Sequence, residues 1–415
     1  MIRSYGQETI ETKNYFSNEE CDNIAPYIKR VTSGNTDFDK KNIVIIILEG
    51  IGKEYIGAYT PQNNFTPFLD SLRLHATEFS NSYANGTMSI EGIPAIVAGI
   101  PSWMNNTFIS SPYNGNQFPP PPPPPQFESI ATVLKKEGYS TVFFHGGNNG
   151  TMGFDNFTLA AGFDKYIGRR EYGNKDYDGN WGVFDKPFLE FACRQMTQLD
   201  TPFCSTIFTL SSHHPYTISD DYKELVKKGN HPFLSSVNYV DYALSNFFAM
   251  AKKTDWYEHT VFVITADHTS HRTLPYYQTR KGLYEIPLLI YDAKRPVHNE
   301  VNTCIQQIDI YPTLLGYLGY NNYVYSFGNN ALLDSANTVI QYGNGAYQLI
   351  SKDSLLEFDG EKFIGLYHHA SDSLLQQNLK TNVESEGFMQ QRLKASVQQY
   401  NNRMIKNKMA IRTAR

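Results

Sequence analysis

The chain has 415 residues, which suits one large α/β domain with a smaller appendage better than a single compact unit. A net charge of −5 with 19% charged residues and no basic bias argues against nucleic acid as a partner. The four cysteines, Cys21, Cys193, Cys204 and Cys304, have no CxxC or Cys/His metal spacing and are too few for a disulfide framework.

Residues 1–40 are polar and mixed, with a helix-like segment near 18–31, and are expected to form a connector. The longest aliphatic run, Ile43 to Leu48, falls far short of the roughly 20 residues a membrane span needs. The N-terminus lacks a basic-then-apolar leader, so the expectation is a soluble chain.

Asn42–Leu48 is a β-branched run of the kind that fills a strand buried on both faces of a parallel sheet. It ends at Glu49, where open α/β sheets bind ligands. A helix is expected over Phe68–Ala76, with Thr66 as N-cap and Pro67 at N1. Next comes the stretch 83–99, where Asn85-Gly86-Thr87 leads into an apolar helical run. Thr87 is expected at or just before the helix N-terminus, where free N–H groups and the helix dipole favour an anion. A Thr hydroxyl needs a base or a metal to become a nucleophile, and otherwise serves as an N-cap. Pro119 to Pro125 is a stiff polyproline II excursion.

Further on, helices alternate with strands. A helix over Glu128–Gly138 precedes a strand over Ser140–Phe144, which runs into His145. A helix over Asp185–Gln198 precedes a strand over Phe203–Leu210, which runs into Ser211-Ser212-His213-His214-Pro215. A helix over Ser235–Lys252 precedes Thr260–Thr265, which runs into Ala266-Asp267-His268. A last strand, Ile286–Tyr291, precedes a helix near Ile308–Leu318. The alternation predicts an α/β fold, a mostly parallel central sheet covered by helices on both faces. From 331 to 415 the character changes to short antiparallel strands, with Asp359-Gly360 a hairpin turn, and a final helix over Glu386–Lys408, an α+β subdomain. The expected divisions are 1–40, 41–330 and 331–415.

Four strands thus end in chemically capable groups. Glu49, Thr87, Asp267 and His268 are expected to converge on one divalent metal, because two carboxylates, an imidazole and an alkoxide make a hard site suited to Mn²⁺ or Mg²⁺, with Zn²⁺ possible. Such a metal lowers the pKa of the Thr87 hydroxyl.

These residues carry a resemblance. The 43–50 strand ending in Glu, the signature Asn85-Gly86-Thr87-x-Ser89-x-Glu91-Gly92-x-Pro94, the Ser-x-His-His-Pro turn and Ala266-Asp267-His268 resemble the catalytic domain of lipoteichoic acid synthases and related phosphoglycerol transferases, in the sulfatase branch of the alkaline phosphatase superfamily. The likeness covers about 41–320. It implies an alkaline phosphatase/sulfatase-like fold with Mn²⁺ on Glu49, Thr87, Asp267 and His268, and attack by Thr87 on the phosphorus of a phosphatidylglycerol headgroup. It implies substrate-pocket histidines at His145 and His213. In the expected mechanism His213, ahead of His214, donates a proton to the leaving alcohol. It also implies a glycerol or glycan hydroxyl acceptor and a location at the outer face of the cytoplasmic membrane. One departure matters: the Trp and Arg that grip glycerol phosphate in that family fall on Met152 and Phe154 here. Asn148, Asn149 or another cation would have to substitute.

Three readings follow: a transferase; a phosphodiesterase, phosphatase or sulfuric ester hydrolase using water; and a catalytically silent glycan- or lipid-binding relative. A formylglycine sulfatase is disfavoured, since no Cys stands in a C/S-x-P-S-R context. Asp255-x-x-x-His259 has the spacing of a second metal site but sits before the strand that leads to Asp267.

Overall fold

The computed structural model describes residues 10–32, 37–111, 127–334, 337–380 and 387–411. The Pro119–Pro125 run and residues 412–415 lie outside them. Its centre is an eight-stranded sheet made of β1 (Asn42–Leu48), β2 (Thr77–Phe79), β3 (Ser140–His145), β4 (Lys165–Ile167), β5 (Phe203–Phe208), β6 (Thr260–Ala266), β7 (Leu288–Asp292) and β8 (Asn299–Val301). The spatial order is β8-β2-β7-β6-β1-β5-β3-β4. Strands β6, β1, β5, β3 and β4 are mutually parallel. The sheet is mixed at one point: β7, expected among parallel strands, runs antiparallel to both β6 and β2. The short strands β2, β4 and β8 carry too few alternating residues to be legible in the sequence.

Every residue of β1 is buried, because both faces of the sheet are covered. Ile43, Ile45 and Ile47 point into one core, shared with Ile93, Ile96 and Val97 of the Ser89–Ala98 helix and with Leu314 and Leu315. Val44, Ile46 and Leu48 point into the other, shared with the Asp185–Met196 and Pro232–Ala251 helices. The period of two along an extended chain feeds two cores at once.

The C-terminal region forms a four-stranded antiparallel sheet, Val339–Gly343, Ala346–Ile350, Leu355–Phe358 and Phe363–Tyr367, followed by the Gly387–Ile405 helix. Its first strand was not expected. The Asp359-Gly360 turn is present, with Gly360 at φ +97 where a side chain would be strained. Leu349, Leu356, Leu393 and Val397 join the core of β1, so this region is packed onto the main sheet.

Residues 10–32 of the N-terminal segment hold a short helix and a short strand. The expected 18–31 helix stops at Ile24, ahead of Pro26, and Ile28–Arg30 instead pairs antiparallel with Tyr323–Tyr325. Ser17 and Glu20 close a capping box at its start. Upstream, Gln398 Oε1 accepts the N–H groups of Tyr15 (2.5 Å) and Phe16 (3.0 Å), and its Nε2 donates to Phe16 O (2.8 Å). One amide side chain therefore does the work of a partner strand. Replacing Gln398 with Ala should cost about 1–3 kcal/mol, because it strips acceptors from two peptide N–H groups. Thermal unfolding with limited proteolysis at residues 10–17 measures this, and an unchanged Tm with an unchanged cleavage rate would refute it.

Candidate metal centre and active site

The four chemically capable strands β6, β1, β5 and β3 are neighbours in the sheet, and their C-terminal ends are in register. Leu48 pairs with Ala266, Ile47 with Phe208 and Phe208 with His145. Asp267, Glu49, Thr209 and Gly146 therefore leave the sheet along one edge. Ligand atoms of Glu49, Asp267 and His268 lie within 4.8 Å of one another.

Each of the three is held by its surroundings. Glu49 N–H donates to Thr209 Oγ1 (3.0 Å), and Ser212 Oγ donates to Glu49 O (2.6 Å). Asp267 Oδ1 accepts the N–H groups of Gly50 (2.8 Å) and His268 (2.9 Å). His268 Nδ1 bonds to Thr269 O (3.0 Å), which turns Nε2 toward Glu49 Oε1 and Asp267 Oδ2, 3.4 Å from each.

The electrostatics call for a cation. Burial, reinforced by the charge of Glu49, pushes Asp267 up to about 7. Burial also works to raise Glu49, but hydrogen bonding and charge from His268, with charge from His213, outweigh it and hold Glu49 below the usual range. Burial opposes the His268 imidazolium, yet Asp267 and Glu49 draw it up to about 10. Asp267 Oδ2 is buried with no hydrogen-bond donor. Two buried acids that demand positive charge, with one oxygen unmet, fit a divalent metal.

The hydroxyl that the fold brings to this cluster belongs to Ser89, not Thr87. Ser89 is 4% exposed, and its Oγ donates to Glu49 Oε2 (3.2 Å) and lies 3.5 Å from His268 Nε2. Thr87 is exposed, with its backbone N–H on Glu91 Oε2 (2.8 Å). The reason is local. The helix begins at Ser89, with Met88 at the N-cap in extended conformation and without a side-chain cap bond. Glu91 folds back against Gly86, where an added Cβ would come within 2.4 Å of its carboxylate. Ser89 and Gly92 share a helix face, and a Cβ on Gly92 would meet Asp267 O at 2.3 Å. The helix can therefore approach β6 closely enough to set its first residue over the acids. That i, i+3 pair was the available sequence signal for Ser89.

Asn85 fixes the approach to this helix. Its Nδ2 donates to Gln306 Oε1 (2.8 Å) and Ile340 O (3.0 Å), and its Oδ1 accepts Ile308 N–H (3.0 Å). Ile340 belongs to the C-terminal sheet, so that region props the loop of the site.

On the β5 and β3 side, Asp185 Oδ1 and Oδ2 accept the N–H groups of Leu210 (2.7 Å) and Ser211 (2.9 Å), which sets the turn that carries His213. His213 is half-buried, and its Nδ1 bonds to His214 O (2.8 Å), leaving Nε2 as the free nitrogen. The Trp181 ring lies against it at 4.3 Å, and Trp181 Nε1 donates to His214 O (2.8 Å). His145 is fully buried and held neutral, its pKa lowered to about 4 chiefly by burial. It stacks on Phe208 at 4.7 Å, and its Nε2 is unpartnered beneath Gly147.

The remaining expected substrate residues divide. Phe154 is 1% exposed and packs edge-on against His145 and Phe208, so it is a core residue and not a substrate contact. Asn149 is committed to the Arg169–Tyr172 helix, through Nδ2 to Glu171 and Oδ1 from Arg170 N–H. Asn148 Oδ1 accepts from Arg169 Nη1. Met152 is 40% exposed at φ +49. The exposed His214 ring meets Tyr216 edge-on at 5.5 Å. Asp255 and His259 line a cavity of about 650 Å³ with Lys41 and Asn42, at the edge of the sheet where β1 starts. The second-metal spacing is thus on the opposite side from Glu49.

Comparison with known proteins gives the family and the fold. The sulfatase family model matches residues 41–320. The chain is similar to lipoteichoic acid synthase 1 of Bacillus subtilis, 24% identical over 92% of this chain and 62% of that protein. It is also similar to lipoteichoic acid synthase of Staphylococcus aureus, 26% identical over 84% of this chain and 57% of that protein. It thus spans about three fifths of the length of these curated relatives. Among solved structures, an alkaline phosphatase superfamily protein from Vibrio parahaemolyticus superposes with a TM-score of 0.82 at 24% identity, covering 97% of this chain and 99% of that one. The lipoteichoic acid synthase LtaP from Listeria monocytogenes superposes with a TM-score of 0.76 at 20% identity, covering 95% and 99%. With the matched residues amounting to more than half of its length, the chain belongs to the sulfatase family, an enzyme family with the alkaline phosphatase superfamily fold.

Proposed function

We propose that this chain is a metal-dependent phosphoglycerol transferase-like enzyme. It moves a phosphoglycerol group from a phosphatidylglycerol-type lipid to a glycerol or glycan hydroxyl through a covalent intermediate on Ser89. The observation that carries this reading is the Ser89 hydroxyl, buried against Glu49 and His268 at the first turn of the Ser89–Ala98 helix. The similarity to lipoteichoic acid synthases supports the substrate class.

Glu49, Asp267 and His268, with Ser89, would hold the divalent ion, Mn²⁺ best matching the donors and Mg²⁺ or Zn²⁺ the alternatives, and it supplies charge that lowers the hydroxyl pKa and offsets charge on the phosphoryl oxygens. The chain's own groups do the rest. Ser89 Oγ attacks phosphorus, and its proton passes to the Glu49 carboxylate it already touches. The positive end of the Ser89–Ala98 helix dipole offsets charge on the non-bridging oxygens as the P–O bond to the lipid alcohol breaks. His213, with Nε2 free, gives that alcohol its proton. The neutral His213 then takes the proton of the incoming acceptor hydroxyl, whose oxygen bonds to phosphorus as the P–O bond to Ser89 breaks, and Glu49 returns its proton to the departing Ser89 Oγ. Water in place of the acceptor makes the same site a phosphodiesterase.

No helix among the described residues is long and apolar enough to cross a membrane. We place the chain at the outer face of the cytoplasmic membrane, as part of a membrane-anchored protein, where its lipid donor is presented. The divisions 1–40, 41–330 and 331–415 are kept as proposed units.

Ser89→Ala should lower kcat on a nitrophenyl phosphodiester by about 10³-fold or more, while Thr87→Ala stays within about fivefold of wild type. A labelled phosphatidylglycerol analogue should leave its label on the Ser89 peptide. Label on Thr87, or an active Ser89→Ala protein, would reject the nucleophile, and products formed with and without an acceptor alcohol separate transferase from hydrolase. Turnover of neither substrate would leave a silent binding protein.

Metal dependence has its own readout. Mn²⁺ at about 100 times its Kd should stabilise the fold by about 2.7 kcal/mol. Asp267→Asn should abolish that rise in Tm and the bound metal found by elemental analysis. A metal-independent Tm in the wild type would count against the site.

A further inference from the structure

A single buried amide ties the loop that leads to Ser89 to the strand end that carries Asp267. Ile305 and Gln306 pair in parallel with Ser82 and Tyr83. This register sets Gln307, at the start of the Gln307–Asp309 3₁₀ turn, beside Asn85. Gln307 is fully buried. Its Oε1 accepts the Asn85 N–H (2.8 Å), and its Nε2 donates to Ala266 O (2.8 Å) and Asp267 O (2.7 Å). Both amide hydrogens and the amide oxygen are thereby used, and the reverse orientation would set Oε1 against two carbonyl oxygens. The turn is anchored from behind by the buried Asp309, whose carboxylate accepts the N–H groups of Gln306 (3.0 Å) and Asn329 (2.7 Å) and Nδ2 of Asn337 (2.8 Å).

These bonds fix a spacing that neither segment fixes alone. Asp267 stands at the end of β6, and Asn85 precedes Ser89 by four residues. Asp267 O, which takes Gln307 Nε2, is also the atom that a Cβ on Gly92 would meet at 2.3 Å. The start of the Ser89–Ala98 helix is therefore located twice against one carbonyl, by Gly92 from within the helix and by Gln307 through the loop ahead of it. Ser89 Oγ is thereby held 3.2 Å from Glu49 Oε2. The three side-chain bonds of Gln307 all go to backbone atoms, so it acts through the placement of other residues. A shift of about 1 Å in a reacting group can cost about 10²-fold in rate.

We propose that Gln307 is a positioning residue that holds Ser89 in register with the carboxylates of Glu49 and Asp267. This rests on the reading of Ser89 as the nucleophile beside the metal, and it names the group outside the cluster that sets the geometry.

The test is a double-mutant cycle on Mn²⁺ affinity, measured by calorimetry on the full chain with Gln307→Met and Ser89→Ala. Methionine fills a similar space without the amide bonds. Gln307→Met should weaken Mn²⁺ by about tenfold, as the loss of an outer hydrogen-bond partner does. The loss in the double variant should fall well short of the product of the two single losses, because both changes take the Ser89 hydroxyl from the metal. Losses that multiply, or wild-type affinity in Gln307→Met, overturn the assignment. On the nitrophenyl phosphodiester, Gln307→Met should lower kcat by about tenfold to hundredfold with KM little changed. A raised KM at unchanged kcat also overturns it. Should Gln307→Met fail to fold, Gln307→Asn, which keeps the amide one methylene short, takes its place in the cycle. If neither folds, Gln307 is a structural residue only and the assignment falls. Metal affinity needs no turnover, so a wild type that binds Mn²⁺ and turns over no phosphodiester sinks the transferase reading and leaves the cycle to decide Gln307. A wild type that binds no Mn²⁺ sinks both.

Discussion

Two buried carboxylates at the ends of adjacent strands set the terms for the rest of the molecule. Leu48 and Ala266 pair in register, so Glu49 and Asp267 leave the sheet side by side. Both are nearly inaccessible to water, at 4% and 0% exposure. Two anions so placed repel each other strongly unless something positive lies between them. His268 answers part of this need, and Asp267 Oδ2, without a donor, shows that it does not answer all of it. A divalent ion would resolve the conflict, and hydrogen bonds to Thr209, Gly50 and Thr269 hold the three side chains in place around that point.

The Ser89–Ala98 helix is shaped to meet that edge. Gly92 gives the close approach to Asp267 O, and Glu91 occupies the space that Gly86 leaves, collecting the Thr87 N–H. Together they turn Thr87 outward and Ser89 inward. The loop before the helix is pinned through Asn85 to Gln306 and to Ile340 of the C-terminal sheet. The region beyond 331 therefore contributes to the site by bracing it, though no ligand of the cluster comes from it.

Around the metal edge the polar groups fall into two kinds. Those on β1 and β6 carry charge and address a cation. After β5, His213 presents a free imidazole nitrogen with the Trp181 ring against it. His145, at the end of β3, is kept neutral by burial, with its Nε2 beneath Gly147.

By itself the sequence determined the five longer strands of the sheet and the edge where Glu49, Asp267 and His268 meet. The unbroken β-branched runs of β1 and β6, each ending in an acid, are local signals, because a strand buried on both faces needs continuous apolar residues and a parallel sheet collects its polar residues at the C-terminal ends. His213 was legible in the same way. The direction of β7 was not, since an apolar strand reads alike in either sense. Nor was the choice between Thr87 and Ser89, two hydroxyls two residues apart, because it turns on where the helix begins and on how near Gly92 comes to Asp267. Trp181 reaches His213 from a loop far from the signature in the chain, and Phe154 packs in the core. Only the tertiary structure decides such placements, because they depend on contacts between segments that carry no common pattern in the sequence.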